Sequence, residues 1–269
     1  MSHAVRVPLA SESTSAYTTP VHRWLYDHPG ILHCDLSLNN IMYRIIEEVN
    51  TQGGRERRVC GVLTDYDLSS WTKDLRNDTK TSQYHTGTLP YMAQELLKGR
   101  SADHLYRHDL ESLFYTMLLT CARYTLGSVQ DEAAGGPLRT FNTRDGKRPY
   151  QDWFDEQEHA TLGSLKSCFF MPPKPIELSP CFEDFRLWLR PIQFAFTRGF
   201  SCKVRHVEDL REQQELGGSE DEIATFDDET LAGCVHYPSF IEPVRRLRGE
   251  LEGLVIRYDS KTIPTPDSS

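Results

Sequence analysis

The stretch that most constrains the fold of this chain lies at residues 31–42 and reads ILHCDLSLNNIM. It places His33, Asp35 and Asn40 between apolar anchors. A carboxylate followed closely by an amide, and then by a strand-like run, suits phosphoryl transfer, because the acid can orient a hydroxyl nucleophile while the amide oxygen reaches a magnesium ion. A polar turn is the simpler interpretation of this stretch on its own.

A β-hairpin predicted from the following residues brings a second carboxylate close to this stretch. Residues Ile41–Val49 and Arg58–Thr64 are rich in β-branched side chains, and Asn50–Gly54 between them is a turn signal. Asn40 enters the first predicted strand and Asp65 leaves the second. Because antiparallel pairing brings these two ends together, we expect the amide and the carboxylate to converge on one magnesium site. The magnesium ion favours oxygen ligands.

A predicted helix covers Leu105–Tyr124 and carries apolar residues on nearly every face, as a fully buried central helix does. Asp109 near its start is a candidate N-cap. Helical spacing also predicts helices at Val21–Tyr26, Glu158–Lys166 and Phe182–Leu189. Another helix is expected over residues 239–258.

Composition indicates a soluble globular protein of 269 residues, with 38% hydrophobic and 26% charged residues. No apolar run approaches the roughly 18 residues of a membrane helix, and the first residues lack the apolar core of a secretory signal. We therefore expect no membrane partner and an intracellular location, cytoplasmic or nuclear.

The formal net charge of −9 argues against a nucleic-acid partner, because a phosphate backbone favours clustered Lys and Arg. The dense basic clusters Arg55–Arg58 and Arg245–Arg248 are interpreted as a solvated hairpin tip and the polar face of a helix. The seven cysteines form an odd set without a C-x-x-C pair, which is typical of reduced thiols in the cytosol or nucleus.

Four motifs then occur in the order found in the second half of eukaryotic protein kinases. The chain resembles the fungal-type protein kinase family most closely, from about residue 20 to about residue 125. The matching motifs are His33-x-Asp35-x-Ser37-x-x-Asn40, Asp65-Tyr66-Asp67, Gly87-Thr88-Leu89-Pro90 with Ala93-Gln94-Glu95, and Asp109-Leu110-Glu111-Ser112.

This resemblance implies a kinase-like C-terminal lobe, mainly α with a short β-hairpin, over residues 20–258, with ATP and Mg²⁺ as cofactors. Within it, residues 127–150 are predicted to be an inserted loop, and residues 203–230 an exposed or disordered insertion. Residues 1–19 and 259–269 are predicted to be flexible tails.

The resemblance also implies roles for individual residues. Asp35 corresponds to the catalytic base, and Asn40 and Asp65 to the residues that bind the metal and the cofactor. Thr88 corresponds to a residue whose hydroxyl bonds the catalytic Asp. Ser37 stands where protein Ser/Thr kinases carry a Lys that touches the transferred phosphate, so one positive charge is missing from the transition-state clamp.

By the same resemblance, His33 packs the loop, and Asp109 ties the loop backbone to the central helix. Cys34 replaces an Arg that receives an activation-loop phosphate, and Asp67 replaces a Gly. The activation segment is expected over residues 66–95. Both replacements weaken switch-like regulation, and neither forbids catalysis.

The sequence shows no Gly-rich phosphate loop and no strand Lys of the Val-Ala-Ile-Lys type. We therefore expect a lobe without its N-terminal partner, weak nucleotide binding, and an upper lobe supplied by a longer gene product or another chain.

Two function classes remain open. The first is a protein Ser/Thr kinase lobe that acts on a protein substrate and is weak or inactive as an isolated chain. The alternative is a non-catalytic, pseudokinase-like module that binds a partner protein. A small-molecule phosphotransferase is disfavoured by the element at residues 87–95, which such enzymes generally lack.

Overall fold

Helices dominate the described part of the chain, and three small antiparallel sheets accompany them. The structure is a computed structural model that describes residues 21–49, 55–72, 87–99, 103–131, 136–143, 148–216 and 224–243, with the backbone alone over residues 43–49, 55–60, 126–131 and 136–141. The fold is thus mainly helical with small sheets, as the sequence predicts.

The first elements surround the predicted loop. Helix α1 covers residues 21–27, as predicted, and strand β1 (Ile31–Leu32) follows the turn after it. β1 pairs with β4 (Ser70–Trp71) in an antiparallel sheet, so the two ends of the region around the hairpin lie side by side.

The predicted hairpin is confirmed. Strand β2 (Ile41–Val49) pairs antiparallel with β3 (Arg55–Leu63), and Ile41 stands opposite Leu63 in the register. The predicted turn at residues 50–54 lies outside the described residues. The register places the start of β2 beside the end of β3.

The predicted central helix is also confirmed. Helix α3 (Tyr106–Arg123) follows the short helix α2 (Gln94–Leu97), and its side chains are buried along nearly its whole length. The prediction that Asp109 caps it is wrong, since the N-cap position is Leu105, whose backbone N–H donates to Nδ1 of His108 at 3.0 Å. Asp109 lies one position beyond the first turn's N3 residue, where its carboxylate reaches other partners.

The prediction of an irregular loop over residues 127–150 is wrong for its first part. Strands β5 (Tyr124–Asp131) and β6 (Gly136–Thr143) form an antiparallel hairpin directly after α3. Apolar residues stand opposite each other in its register, for example Leu126 and Phe141, although Gly, Asp and Arg dominate the composition. Residues 132–135 and 144–147 lie outside the described residues, and the status of the segment as an insertion stays a prediction.

The second half of the chain packs around α3. Helices α4 (Asp152–Asp155), α5 (His159–Phe170) and α6 (Arg186–Glu215) follow, with a 3-10 helix at Pro180–Phe185, so the helices predicted there are confirmed. The centre of the core is aromatic: Phe114 of α3 contacts the rings of Phe169, Phe170 and Phe196 at centroid distances of 5.9 to 6.3 Å.

The structure describes part of residues 203–230, for which an exposed or disordered insertion is predicted. α6 continues through Glu215, and its charged side chains occupy a largely exposed face, so only the predicted exposure is confirmed. Leu231 and Val235, just beyond the segment, are buried in the core. A run of charged residues can form the solvent-exposed face of a long helix. Here the sequence predicts the exposure of these residues but not their helical structure.

Several predictions fall outside the described residues: both flexible tails, the hydroxyl-rich part of the activation segment at residues 79–84, and most of the helix expected over residues 239–258. Residues 237–243 are helical. Among the described residues, no helix is both long and apolar enough to cross a membrane.

The close contact between α6 and Leu231 gives the first testable prediction. A Cβ atom at Gly199 would lie 2.6 Å from Cβ of Leu231, so Gly199→Ala requires the two segments to move apart. We expect urea unfolding to show a loss of about 1 to 3 kcal/mol, although alanine is the better helix former.

The matched control is Ser201→Ala, which changes an exposed position on the same helix. Its free energy of unfolding should stay within about 0.5 kcal/mol of the wild type. A Gly199→Ala protein that is more stable than the wild type would contradict the packing described here.

Candidate functional site

The carboxylate of Asp109 holds the loop that carries the predicted site residues. It is fully buried and accepts hydrogen bonds from the backbone N–H groups of His33 at 2.8 Å and Cys34 at 3.1 Å. The predicted tie between this residue and the loop backbone is therefore present in the structure. Because α3 is rigid and central, these two bonds fix the loop relative to the core.

Two histidines complete the surroundings of Asp109. His22 Nε2 lies 2.9 Å from one carboxylate oxygen and His104 Nε2 lies 2.7 Å from the other. Burial alone would raise the pKa of Asp109, but the charge and hydrogen bond of His104, assisted by His22, hold it well below its ordinary value. Burial would lower the pKa of His104, yet Asp109 raises it to about 10. Sequence reasoning missed both histidines, because neither lies in a recognisable motif.

The backbone of the loop is strained at Cys34, a non-glycine residue with φ of 65°. Such left-handed angles cost free energy and persist where neighbouring contacts hold them. The Cys34 N–H bond to Asp109 is one such contact.

The carboxylate of Asp35 is oriented from two sides. Thr88 donates to its Oδ1 from the backbone N–H at 2.8 Å and from the hydroxyl at 2.9 Å. Asn40 Nδ2 donates to its Oδ2 at 3.0 Å and to the Asp35 backbone carbonyl at 2.9 Å. The hydroxyl contact of Thr88 that the resemblance implies is therefore present.

Asn40 and Asp65 lie at adjoining ends of the hairpin. The Asn40 carbonyl accepts bonds from the Thr64 N–H at 3.0 Å and the Thr64 hydroxyl at 3.2 Å, and Asp65 follows directly in a left-handed conformation with φ of 63°. The structure therefore brings together the chain at Asn40 and Thr64, beside Asp65.

The side chains at these ends include donor types that magnesium prefers. Both hydrogen bonds of the Asn40 side chain use its nitrogen, which leaves its oxygen as an acceptor, and the Asp65 side chain is exposed and makes no hydrogen bond with the described residues. One amide oxygen and one carboxylate are few ligands, as is usual for Mg²⁺. Within the described residues, no group of three or more His, Cys, Asp or Glu could hold a metal ion.

His33 and Ser37 lie in the interior. His33 packs the loop as predicted, with Nε2 at 3.0 Å from the Thr64 carbonyl and its ring 4.9 Å from that of Tyr66. Ser37 is only 1% exposed, and its hydroxyl makes no hydrogen bond with the described residues. Its hydroxyl is thus shielded from solvent, and a contact of Ser37 with phosphate stays a prediction that this burial disfavours.

A buried lysine that sequence reasoning missed supports the segment next to Thr88. Lys166 of α5 donates to the backbone carbonyls of Leu89 at 3.1 Å and Met92 at 2.6 Å, and its ammonium group lies 4.4 Å from the ring centroid of Tyr115. Burial lowers the pKa of Lys166 to about 7, and the charge of Glu111 opposes this only in part. No sequence signal marks it, because a lysine in an amphipathic helix is normally placed on the solvent face.

The end of the same segment is fixed by ion pairs. Glu95 binds Arg107 of α3 at 2.5 Å and Lys203 of α6 at 2.9 Å. Both cations also reach Asp228. Residues 87–97 are therefore supported at both ends, which keeps Thr88 in place against Asp35.

Replacing the buried anion tests its role as the anchor. Asp109→Asn keeps the side-chain shape but removes the charge that pairs with His104, so we expect a loss of about 2 to 4 kcal/mol in the free energy of unfolding. The control Asp27→Asn removes a carboxylate that is 38% exposed and paired with Arg23, and should cost at most about 1 kcal/mol. Equal effects of the two substitutions in urea unfolding would show that Asp109 is not the anchor.

The pKa of Lys166 predicts a pH dependence. This pKa is about 7 in the folded protein and near its ordinary 10.5 when unfolded, so between these values the unfolded chain binds the additional proton. Its contribution to the free energy of unfolding should therefore increase as the pH rises from 7 to 10, by up to about 1.4 kcal/mol per pH unit. Lys166→Met lacks this contribution, so the stability advantage of the wild type over the variant should widen with pH. Parallel pH profiles would contradict the prediction.

Comparison with known proteins bears on the same residues. A family model described as fungal protein kinase matches residues 19–121. No curated protein and no solved structure matches the chain. The matched stretch includes the Asp109-anchored loop, the hairpin and the Thr88 segment, so this part of the chain is similar to the fungal protein kinase family.

Proposed function

We propose that this chain is the C-terminal catalytic lobe of a protein kinase, which transfers the γ-phosphoryl group of ATP to a serine or threonine hydroxyl of a protein. The family match supports a kinase-like function. The mainly helical fold, with a hairpin beside the loop of Asp35, is compatible with such a lobe.

The observation that carries the proposal is the orientation of the Asp35 carboxylate. Thr88 and Asn40 together give it three hydrogen bonds, and its side chain is only partly buried, so one face can meet a substrate hydroxyl. A carboxylate held in this way can accept a hydrogen bond from the hydroxyl, aim its oxygen at the phosphorus, and take up its proton as the new bond forms.

The same proposal assigns Mg²⁺ to the Asn40 amide oxygen and the Asp65 carboxylate. When bound, the ion would neutralise charge that develops on the phosphate oxygens. Asn40 then has two tasks, because its nitrogen orients Asp35 while its oxygen remains for the ion. This coupling explains why an amide suits the position better than a second carboxylate, which would repel Asp35.

We expect residues 1–269 to be weak in transfer. Ser37 supplies no positive charge where a lysine is usual, and the loss of one preorganised group of this kind commonly costs about 3 kcal/mol in the barrier. The sequence contains no Gly-rich loop and no strand lysine of the kinase type. The proposal therefore includes an upper lobe, from a longer gene product or another chain, that completes the nucleotide site.

A non-catalytic module that binds a partner protein is the second candidate, and one observation favours it. Around the cavity beside Asp35, the lining residue that could carry a positive charge is His104, and it is already bound to Asp109. A transferred phosphoryl group would thus meet few cations from the described residues.

The proposal also includes an intracellular location, cytoplasmic or nuclear, and a protein partner or substrate. Six cysteines in the described part of the chain have free thiols, which supports a reducing compartment. The members are Cys34, Cys121, Cys168, Cys181, Cys202 and Cys234.

The proposal is tested by magnesium- and ATP-dependent phosphate transfer to a generic protein substrate. We expect a slow rate for the wild type, background transfer for Asp35→Asn, and a rate about tenfold or more lower for Thr88→Ala, because the carboxylate loses one of its donors. Binding of Mg-ATP is measured in parallel by calorimetry.

The matched control is Thr197→Ala, which removes a hydroxyl bonded to the Phe170 carbonyl at 3.0 Å, away from Asp35. Its transfer rate should equal that of the wild type. If Asp35→Asn transfers phosphate as fast as the wild type, or no transfer is detected in any protein, the catalytic proposal fails and the interaction module is favoured.

A further inference from the structure

A second cavity adjoins the one beside Asp35 and has a different chemical character. It has a volume of about 80 Å³ and lies between the end of α3, the hairpin β5–β6 and α4. Tyr91 lines both cavities, and Leu38 of the Asp35 loop lines the second one. The remaining lining residues are Leu119, Thr120, Arg123, Tyr124, Thr143, Arg148 and Phe154.

Arg123 gives this cavity a cation that forms no salt bridge with a described residue. Its guanidinium group is stacked on Phe154, with Cζ 3.7 Å from the ring centroid. Its Nη1 atom is buried and makes no hydrogen bond with the described residues. Buried nitrogen donors are normally satisfied, so this one is available to an acceptor that enters the cavity.

Arg148 adds a second positive charge to the same cavity. Burial and then the charge of Arg148 lower the pKa of Arg123, while Asp155 opposes this more weakly. Neither arginine forms a salt bridge with a described residue. Asp155 itself accepts a hydrogen bond from Gln151 at 2.7 Å.

A structural role explains one of these charges but not both. Arg123 stands in the last turn of α3, where a cation favours the helix dipole. Arg148 is on a separate segment and is exposed, so like-charge repulsion should drive its side chain away from Arg123 unless an anion comes between them.

The size and lining fit a small anion on a peptide. A volume of about 80 Å³ is several times what a single water molecule needs, so a carboxylate or phosphate group can enter. Two guanidinium groups offer forked donors to such groups, and the aromatic rings of Tyr91 and Phe154 line the same cavity.

We propose that this cavity accepts an acidic side chain, either a carboxylate or a phosphate group, of the peptide whose hydroxyl is presented to Asp35. The inference rests on the proposed function for the identity of the peptide as a substrate. It goes beyond that function by naming acidic proteins as the substrate class. Tyr91 lines both cavities, which supports a single peptide that presents its hydroxyl at Asp35 and its acidic group at the second cavity.

Peptide binding without ATP tests the cavity separately from catalysis. The probes are serine peptides with a neutral fluorophore, in which one residue, moved through successive positions, is glutamate, phosphoserine or glutamine. At constant ionic strength, fluorescence anisotropy should show that the wild-type chain binds a glutamate or phosphoserine peptide about tenfold or more tightly than its glutamine counterpart. The two acidic series distinguish a carboxylate from a phosphate as the preferred ligand.

Variants locate the effect. Arg148→Gln, at an exposed position, and Arg123→Met should each remove most of the preference for the acidic peptide. If Arg123→Met, at the more buried position, fails to fold, Arg148→Gln still tests the cavity. The control Arg205→Gln removes one exposed charge from α6 outside the cavity and should leave the preference unchanged.

Equal binding of acidic and glutamine peptides by the wild type, or an equal loss in the Arg205→Gln control, overturns the inference. Phosphate transfer that depends on Asp35 would then still support the proposed function. Selective acidic binding without any transfer would support the cavity and count against the proposed function, so the two failures are distinguishable.

Discussion

The structure of the site depends on one buried negative charge. Asp109 is removed from water, yet its carboxylate accepts two backbone N–H bonds from the loop and lies within hydrogen-bond distance of two histidines. An isolated carboxylate in this position would be strongly unfavourable, so its partners and its charge require one another. The loop shape, including the left-handed backbone at Cys34, is determined by where α3 places this single group.

A second layer of polar contacts holds the Thr88 segment from below. Lys166 donates to two of its carbonyls, and Glu111 accepts the Gln94 N–H at 2.8 Å and the Tyr115 hydroxyl at 2.6 Å. Burial raises the pKa of Glu111 and lowers that of Lys166, because removal from water disfavours the charged form of each group. The segment against Asp35 is therefore supported by buried ionisable groups, and the hydrogen bonds they make offset part of the cost of their burial.

Local patterns in the sequence predict the elements whose signals are short-range. The β-branched hairpin, the apolar α3 and the loop motif around Asp35 are of this kind, and the contact between Thr88 and Asp35 follows from family resemblance. The sequence does not reveal Lys166 or the two histidines, because their burial depends on segments that are distant along the chain. The sequence does not predict the charged half of α6 or the β5–β6 hairpin. Both contain few apolar residues, so the periodic spacing that marks a helix or a strand is weak in them.

The bonds of Asp109 to His33 and Cys34 join residues 76 and 75 positions apart, and Thr88 reaches Asp35 across 53. Contacts of such sequence separation require long loops to close, which costs chain entropy and is typical of slower folding overall. A fragment that contained only the loop and hairpin would keep the bonds between Asn40 and Asp35 but would lack those from Asp109 and Thr88. The geometry of the site therefore depends on the whole folded chain and not on the loop motif alone.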